Sequence, residues 1–163
     1  MLEDVRDKVK TVLQTYLPAQ LDVIDTARGG GIVLDDIASF HTTEFALDDF
    51  LQLPALLILA VRTNLEHLLR SSANYRDTTH TLNVIIIVSE VQNETLETRL
   101  LRYAQAVEQV LVTHNTLDDV SDLIIDTNVL RYGIGEVKRF STSQTFVQGM
   151  GIVVEVKERY TIT

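Results

Sequence analysis

The 163-residue chain has no cysteine. That excludes a disulfide framework and any thiolate zinc site. Long apolar runs are missing too. The longest, Leu53 to Val61, is short and contains Pro54, whereas a membrane-spanning helix needs about 20 apolar residues. The opening Met1-Leu2-Glu3-Asp4 lacks the charged-then-apolar order of a signal peptide. Basic residues are in deficit, with 14 Lys and Arg against 23 Asp and Glu, a net charge of -9. Gripping nucleic acid needs clustered Lys and Arg, so the chain is not expected to hold DNA, though DNA can pass beside it. Catalytic signatures are missing as well. The histidines, His41, His67, His80 and His114, are scattered along the chain, and no Ser-His-Asp or phosphate-loop motif appears. The expectation is no enzyme: no catalytic residue, no cofactor-binding residue and no metal ligand.

What is present is apolar patterning. Hydrophobic residues make up 45% of the chain, enough for a real core. The run Thr81 to Glu90 contains Val84-Ile85-Ile86-Ile87-Val88, β-branched at every position. Leu82, Val84, Ile86 and Val88 point one way, Ile85 and Ile87 the other. A strand apolar on both faces is central and covered on both sides. Residues 2 to 17 predict a helix, because Leu2, Val5, Val9, Val12, Leu13, Tyr16 and Leu17 form one stripe. Pro18 is expected to end it, with a shorter helical piece from Ala19 to about Ala27. A second helix is predicted from Glu94 to Thr113, capped by Asn93, on the spacing of Leu96, Leu100, Tyr103, Val107 and Val110.

Further strands are predicted at 53 to 61, opened by Pro54, at 123 to 130 and at 150 to 156. In the third of these four strands, Leu123, Ile125, Thr127 and Val129 alternate with Ile124, Asp126, Asn128 and Leu130. Gly133 and Gly135 mark a turn or bulge after it. Residues 62 to 80 fit either a short helix or one arm of a long hairpin, with a polar tip at Ser71-Ser72-Ala73-Asn74. The order helix, strand, strand, helix, strand, strand predicts an α+β fold in a single domain, residues 1 to 163. One mixed, mostly antiparallel sheet of about four strands carries two main helices on one face.

Several residues invite a functional reading and receive a plainer one. Gly29-Gly30-Gly31 is followed by Ile32-Val33-Leu34 rather than Lys-Ser/Thr, so a turn is favoured over phosphate cradling. His41 and Glu44 have metal-ligand spacing but no matched third ligand. Asp118, Asp119, Asp122 and Asp126 lack the glycine and closing glutamate of an EF-hand and read as a solvated acidic turn. Tyr103 and His114 read as a core-edge aromatic and a cation at a helix C-terminus.

The chain also resembles the tail-terminator and related neck proteins of long-tailed bacteriophages. The resemblance runs through Tyr-Leu-Pro-Ala-Gln-Leu (16 to 21), Pro-Ala-Leu-Leu-Ile-Leu (54 to 59), His-Thr-Leu-Asn-Val-Ile-Ile-Ile-Val (80 to 88), Leu-Leu-Arg-Tyr (100 to 103) and Val-Val-Glu-Val-Lys-Glu-Arg-Tyr (153 to 160). It rests on element order more than on any signature. It implies a virion structural protein, assembled in the host cytoplasm. Its copies would form a homomeric ring, commonly hexameric, that stops tail-tube growth and joins the tail to the head connector. The implied partners are the tail tube protein and the connector proteins, with DNA passing through the ring and no membrane. A head–tail connector or stopper is the alternative within this class, and a small-molecule-binding α+β regulatory domain is the alternative outside it. The tips at 71 to 80 and 138 to 144 and the acidic loop segment of about 28 to 52 are expected to meet neighbouring copies.

Overall fold

The computed structural model describes residues 1–43, 52–65, 75–90, 93–121, 123–139 and 145–161. Its long elements are two helices, α1 (Leu2–Arg28) and α2 (Leu96–Thr113), and the strands β2 (Ala55–Leu65), β3 (Tyr75–Glu90), β4 (Ile124–Ile134) and β6 (Phe146–Thr161). Two short strands, β1 (Ser39–His41) and β5 (Lys138–Arg139), complete the sheet. Strand order is β1-β2-β3-β6-β4, with β5 paired to β6. Among the described residues only β1 and β2 are parallel; the other pairings are antiparallel. The fold is α+β with one mixed, mostly antiparallel sheet, as the patterning predicts. The four long strands are those expected, each extended beyond its apolar run.

The two faces of β3 separate as the alternation requires. Leu82, Val84, Ile86 and Val88 join Leu56, Ile58, Ile152 and Val154 in the main core, under Val9, Leu13, Leu17, Leu100 and Val107 of the helices. Ile87 lies on the other face with Ala55, Leu57 and Val147 in a small second cluster. Both helices therefore cover one face of the sheet.

Four local expectations are corrected. Pro18 does not end the first helix; it sits inside a continuous α1. A proline inside a helix costs about 3 kcal/mol. Leu17, Leu21 and Ile24 are all buried around it, and each such side chain contributes about 1.5–3 kcal/mol, so the turns past Pro18 are held by the core. Asn93 is not the cap of α2. A 3-10 turn spans Asn93–Thr95 and the α-helix starts at Leu96. Alternation in β4 breaks at register shifts between Ile124 and Asp126 and between Val129 and Arg131. Ile124 is therefore buried while Ile125 is exposed, the reverse of strict alternation, because an extra residue flips the parity of all that follow. The irregularities fall there and not at Gly133, which continues the strand opposite Gly151.

The fourth correction concerns the segments expected to be surface tips. Residues 62 to 65 and 75 to 80 are the arms of a hairpin, paired from Leu65↔Thr78 to Thr63↔His80. Thr78, Thr79 and His80 are buried, so 75 to 80 is not a tip. The run 71 to 74 lies outside the described residues, as do Glu44, Asp48, Asp49, His67 and Asp122. Lys138 and Arg139 form β5 rather than a tip, and residues 140 to 144 lie outside the described residues. The glycine-rich stretch does not float free. Gly29, Gly30 and Gly31 turn the chain with φ of 54°, 80° and 75°, a left-handed region that favours glycine. The chain then crosses α2, where Arg102 donates to the Gly29 carbonyl at 2.9 Å and Arg99 to the Val33 carbonyl at 2.6 Å. Leu34 enters the core and residues 39 to 41 pair with β2.

Candidate functional site

The helix-covered face changes character along β3. From Leu82 onward it is hydrocarbon; before Leu82 it carries His80, Thr78 and Arg76, which share that face because successive side chains alternate. The antiparallel register sets Thr63 of β2 beside His80 on one side, and Tyr160 and Glu158 of β6 opposite Arg76 and Thr78 on the other. Three strands thus converge on one polar group.

His80 is its centre. Its Nε2 lies 2.8 Å from Glu158 Oε2, and its Nδ1 lies 2.9 Å from Thr63 Oγ1. The His80 and Glu158 side chains are only 2% and 5% exposed. Glu158 Oε2 also accepts from the Tyr160 hydroxyl, and the Met1 amine stands 3.5 Å away. A carboxylate accepts only, so Nε2 of His80 carries the proton shared with Glu158. Thr63 then donates to Nδ1 when the imidazole is neutral and accepts from it when the imidazole is charged. Burial, and then the hydrogen bond to Glu158, push the Tyr160 phenol well above its ordinary range.

Beside this group is a cavity of about 520 Å³ at the first turn of α1. Leu2 and Leu65 give it apolar wall; Thr63, Arg76, Thr78, His80 and Tyr160 give it polar groups. Thr78 is 1% exposed and its Oγ1 has no hydrogen-bond partner among the described residues. Burial of an unsatisfied hydroxyl is costly, so such a group marks a site or a strain.

The chain of Thr63, His80 and Glu158 has the connectivity of a hydroxyl, a base and an orienting carboxylate. Thr63 is, however, the direct cross-strand partner of His80, and hydrogen-bonded cross-strand pairs are an ordinary sheet contact. What the arrangement does without further groups is fix the imidazole's tautomer and seal one end of the core.

A second, more polar cavity of about 310 Å³ lies where the loop after α1 crosses α2, lined by Gly31, Asp35, Glu90, Thr95 and Arg99 among others. Arg99 bonds Glu90 and also reaches Asp35 Oδ2 at 3.1 Å. Tyr103 donates to the Asp35 carbonyl at 2.6 Å from full burial, and that burial raises its phenol well above normal. Arg99, Arg102 and Tyr103 together clamp the loop to the helix. Tyr103 is thus a core residue with a structural hydrogen bond.

The other sequence candidates lie apart. His41 is in β1, with Glu44 outside the described residues. His114 stacks on Tyr16 with ring centroids 3.7 Å apart and faces Asp118 at 3.0 Å. Among the described residues no group of three His, Cys, Asp or Glu is placed to hold a metal. The acidic turn is not merely solvated. Asp119, with a side chain 3% exposed, meets Lys8 at 2.5 Å and accepts from the backbone of Leu123 and Ile124. Burial pushes its carboxyl up, but Lys8, the two backbone N–H groups and Ser121 outweigh that and hold it far below the usual carboxylate range.

The His80 group was not visible as a constellation in the sequence. Thr63, His80 and Glu158 are separated by 17 and 78 positions. The available signal was a single one: a strand whose apolar alternation gives way to Thr, His and Arg without a turn residue.

No family model matches the chain, and no curated protein matches it. Among solved structures, it is similar to a chain described as "Virion of native gene transfer agent (GTA) particle", with a TM-score of 0.42 and 14% identity, covering 91% of this chain and 97% of that one. No described helix is long and apolar enough to cross a membrane.

Proposed function

We propose that the chain is a structural virion protein of phage type whose copies associate edge to edge into a ring that ends the tail tube and joins it to the head connector. The observation supporting this is the state of the sheet's two edges. At one edge, β1 covers only Ala55 to Leu57 of β2, so Ile58 to Leu65 has no outer partner among the described residues. At the other, β4 pairs only with β6 among the described residues. Both edges expose apolar side chains: Val61 and Leu65 on β2, and Leu130, Tyr132 and Ile134 on β4. Unpaired strands with exposed apolar residues invite further pairing. Because the two edges differ, contact between one copy's β4 and the next copy's β2 is head-to-tail, and such a contact closes a ring when its rotation divides a full turn.

The resemblance through residues 16 to 21, 54 to 59, 80 to 88, 100 to 103 and 153 to 160 supplies the hexameric number and the place in the tail. The net charge of -9 suits a ring whose bore repels phosphates and lets DNA slide. The reading includes no intrinsic catalysis. Imaging purified tail tubes after adding the protein, with mass measurement in solution, tests it. Rings capping one end of the tube support the reading; a chain that stays monomeric and binds neither tubes nor connectors overturns it. Hydrolase activity lost in His80→Ala would overturn the non-enzymatic part. The cavity of about 520 Å³ beside His80 favours the second reading, a small-molecule-binding domain.

A further inference from the structure

We propose that the cavity between the first turn of α1 and the polar ends of β2, β3 and β6 binds a small neutral alcohol: a short apolar body ended by one hydroxyl. Binding there rests on the small-molecule reading of the chain and is independent of ring formation. The cavity volume of about 520 Å³ falls in the size range of small-ligand sites, about 300–1,000 Å³. Leu2 of α1 and Leu65 of β2 give it an apolar side, and Leu65 is 53% exposed with nothing in the fold to cover the rest.

The charged groups nearby argue for a neutral ligand. Glu158 accepts from Tyr160 and lies 2.8 Å from His80 Nε2, and it is not among the residues lining the cavity. Arg76 lines the cavity but has a partner of its own within the protein. A charged ligand would leave water without gaining a counter-ion, which is costly.

Two hydroxyls argue for an alcohol. Thr78 is 1% exposed and lines the cavity, and its Oγ1 has no hydrogen-bond partner among the described residues. A ligand oxygen supplies the acceptor that its O–H lacks. Thr63 lines the cavity as well. When it donates to His80 Nδ1, its oxygen keeps lone pairs that accept a ligand O–H. Thr63 pairs with His80 and Leu65 with Thr78, so Thr63 and Thr78 are diagonal neighbours on one sheet face, about 7–8 Å apart. One hydroxyl between them serves both, accepting from Thr78 and donating to Thr63. An ether serves only Thr78, and a hydrocarbon serves neither.

The experiment titrates the full chain with hexanol, its isomer pentyl methyl ether, hexanoate and hexylamine, by calorimetry and amide chemical shifts. Hexanol is expected to bind saturably at one site, about fivefold more tightly than the ether and at least about tenfold more tightly than either charged probe. Shifts should cluster at Leu2, Leu65 and 76 to 80. Thr63→Val should bring hexanol down to the ether's affinity and leave the ether unchanged. Thr78→Val should weaken both about fivefold without lowering the melting temperature. Leu65→Trp, at an exposed position, fills the cavity and should abolish binding while the fold persists. Hexanoate or hexylamine binding as tightly as hexanol would overturn the neutral ligand, and hexanol affinity unchanged in Thr78→Val would overturn the hydroxyl's role. No saturable binding, or binding untouched by Leu65→Trp, would overturn the site, and rings on tail tubes in the same samples would leave the ring reading standing.

Discussion

On the helix-covered face of β3, Thr78 and His80 are as buried as the apolar run that follows them, and chemically opposite to it. Leu82, Val84, Ile86 and Val88 sit at 0–1% exposure among hydrocarbon; Thr78 and His80, on the same face of the same strand, are at 1% each. The apolar half needs only shape. The polar half needs partners, and its geometry is set by them: Thr63 and Glu158 for His80, Tyr160 for Glu158. Burial alone therefore says little about role. A fully buried Ile is the common case, whereas a buried His–Glu pair with an orphan hydroxyl two residues away is the informative one. The comparison also locates the cavity, which opens at the polar half, where the apolar packing ends.

Breaking the apolar half should cost most. Ile86→Asp places a carboxyl among Leu56, Ile152 and the helices, with no partner of opposite charge in that cluster. The cost is several kcal/mol, and the expected result is insoluble or unfolded protein in an expression and thermal-melt assay. A variant melting like the parent would end the reading of β3 as the central strand.

In the polar half, Glu158→Ala should cost about 1–3 kcal/mol, because the buried His80 loses its acceptor and the half-buried Tyr160 loses its own. Chemical denaturation measures it. Glu158→Gln keeps an acceptor oxygen and should recover part of the loss. If both variants match the parent, the polar half is not held by this network.

A pH titration of stability sharpens the contrast with a third place, the turn after α2. Asp119 has a folded pKa held below its ordinary value by Lys8, two backbone N–H groups and Ser121, against the upward push of burial. A depressed carboxylate contributes stability above its unfolded pKa and loses it as pH falls through the acid range. The parent should therefore lose more stability than Asp119→Asn on acidification from neutral pH. Identical acid profiles would show that Asp119 is not linked to folding.

The smallest effect is expected on the outer face of the polar half. Asp77 is held below its usual range first by its hydrogen bonds from Arg159. The pair is partly solvent-exposed, at 24% and 45%. Exposed pairs contribute about 0–1 kcal/mol, so Asp77→Asn should shift the melt by little, and less still at high salt. A loss comparable to that of Glu158→Ala would mean that the two faces of β3 are not distinct.

The sequence by itself determined the elements whose signal is local. The stripes of α1 and α2, the β-branched run of β3 and its division into two faces follow from periods of 3.6 and 2, which each segment carries alone. Four long strands and two helices were legible for that reason. Tertiary structure decided what depends on neighbours. The helix runs through Pro18 because Leu21 and Ile24 find the core. Ile124 rather than Ile125 turns inward because β4 slips against β6, a shift no residue of β4 announces. The loop after Gly29-Gly30-Gly31 is fixed by arginines from a helix about 70 residues later in the chain. Thr63, His80 and Glu158 meet because the antiparallel register brings three strands side by side. Register is a property of pairs of strands, so the His80 group has no signature in any single stretch.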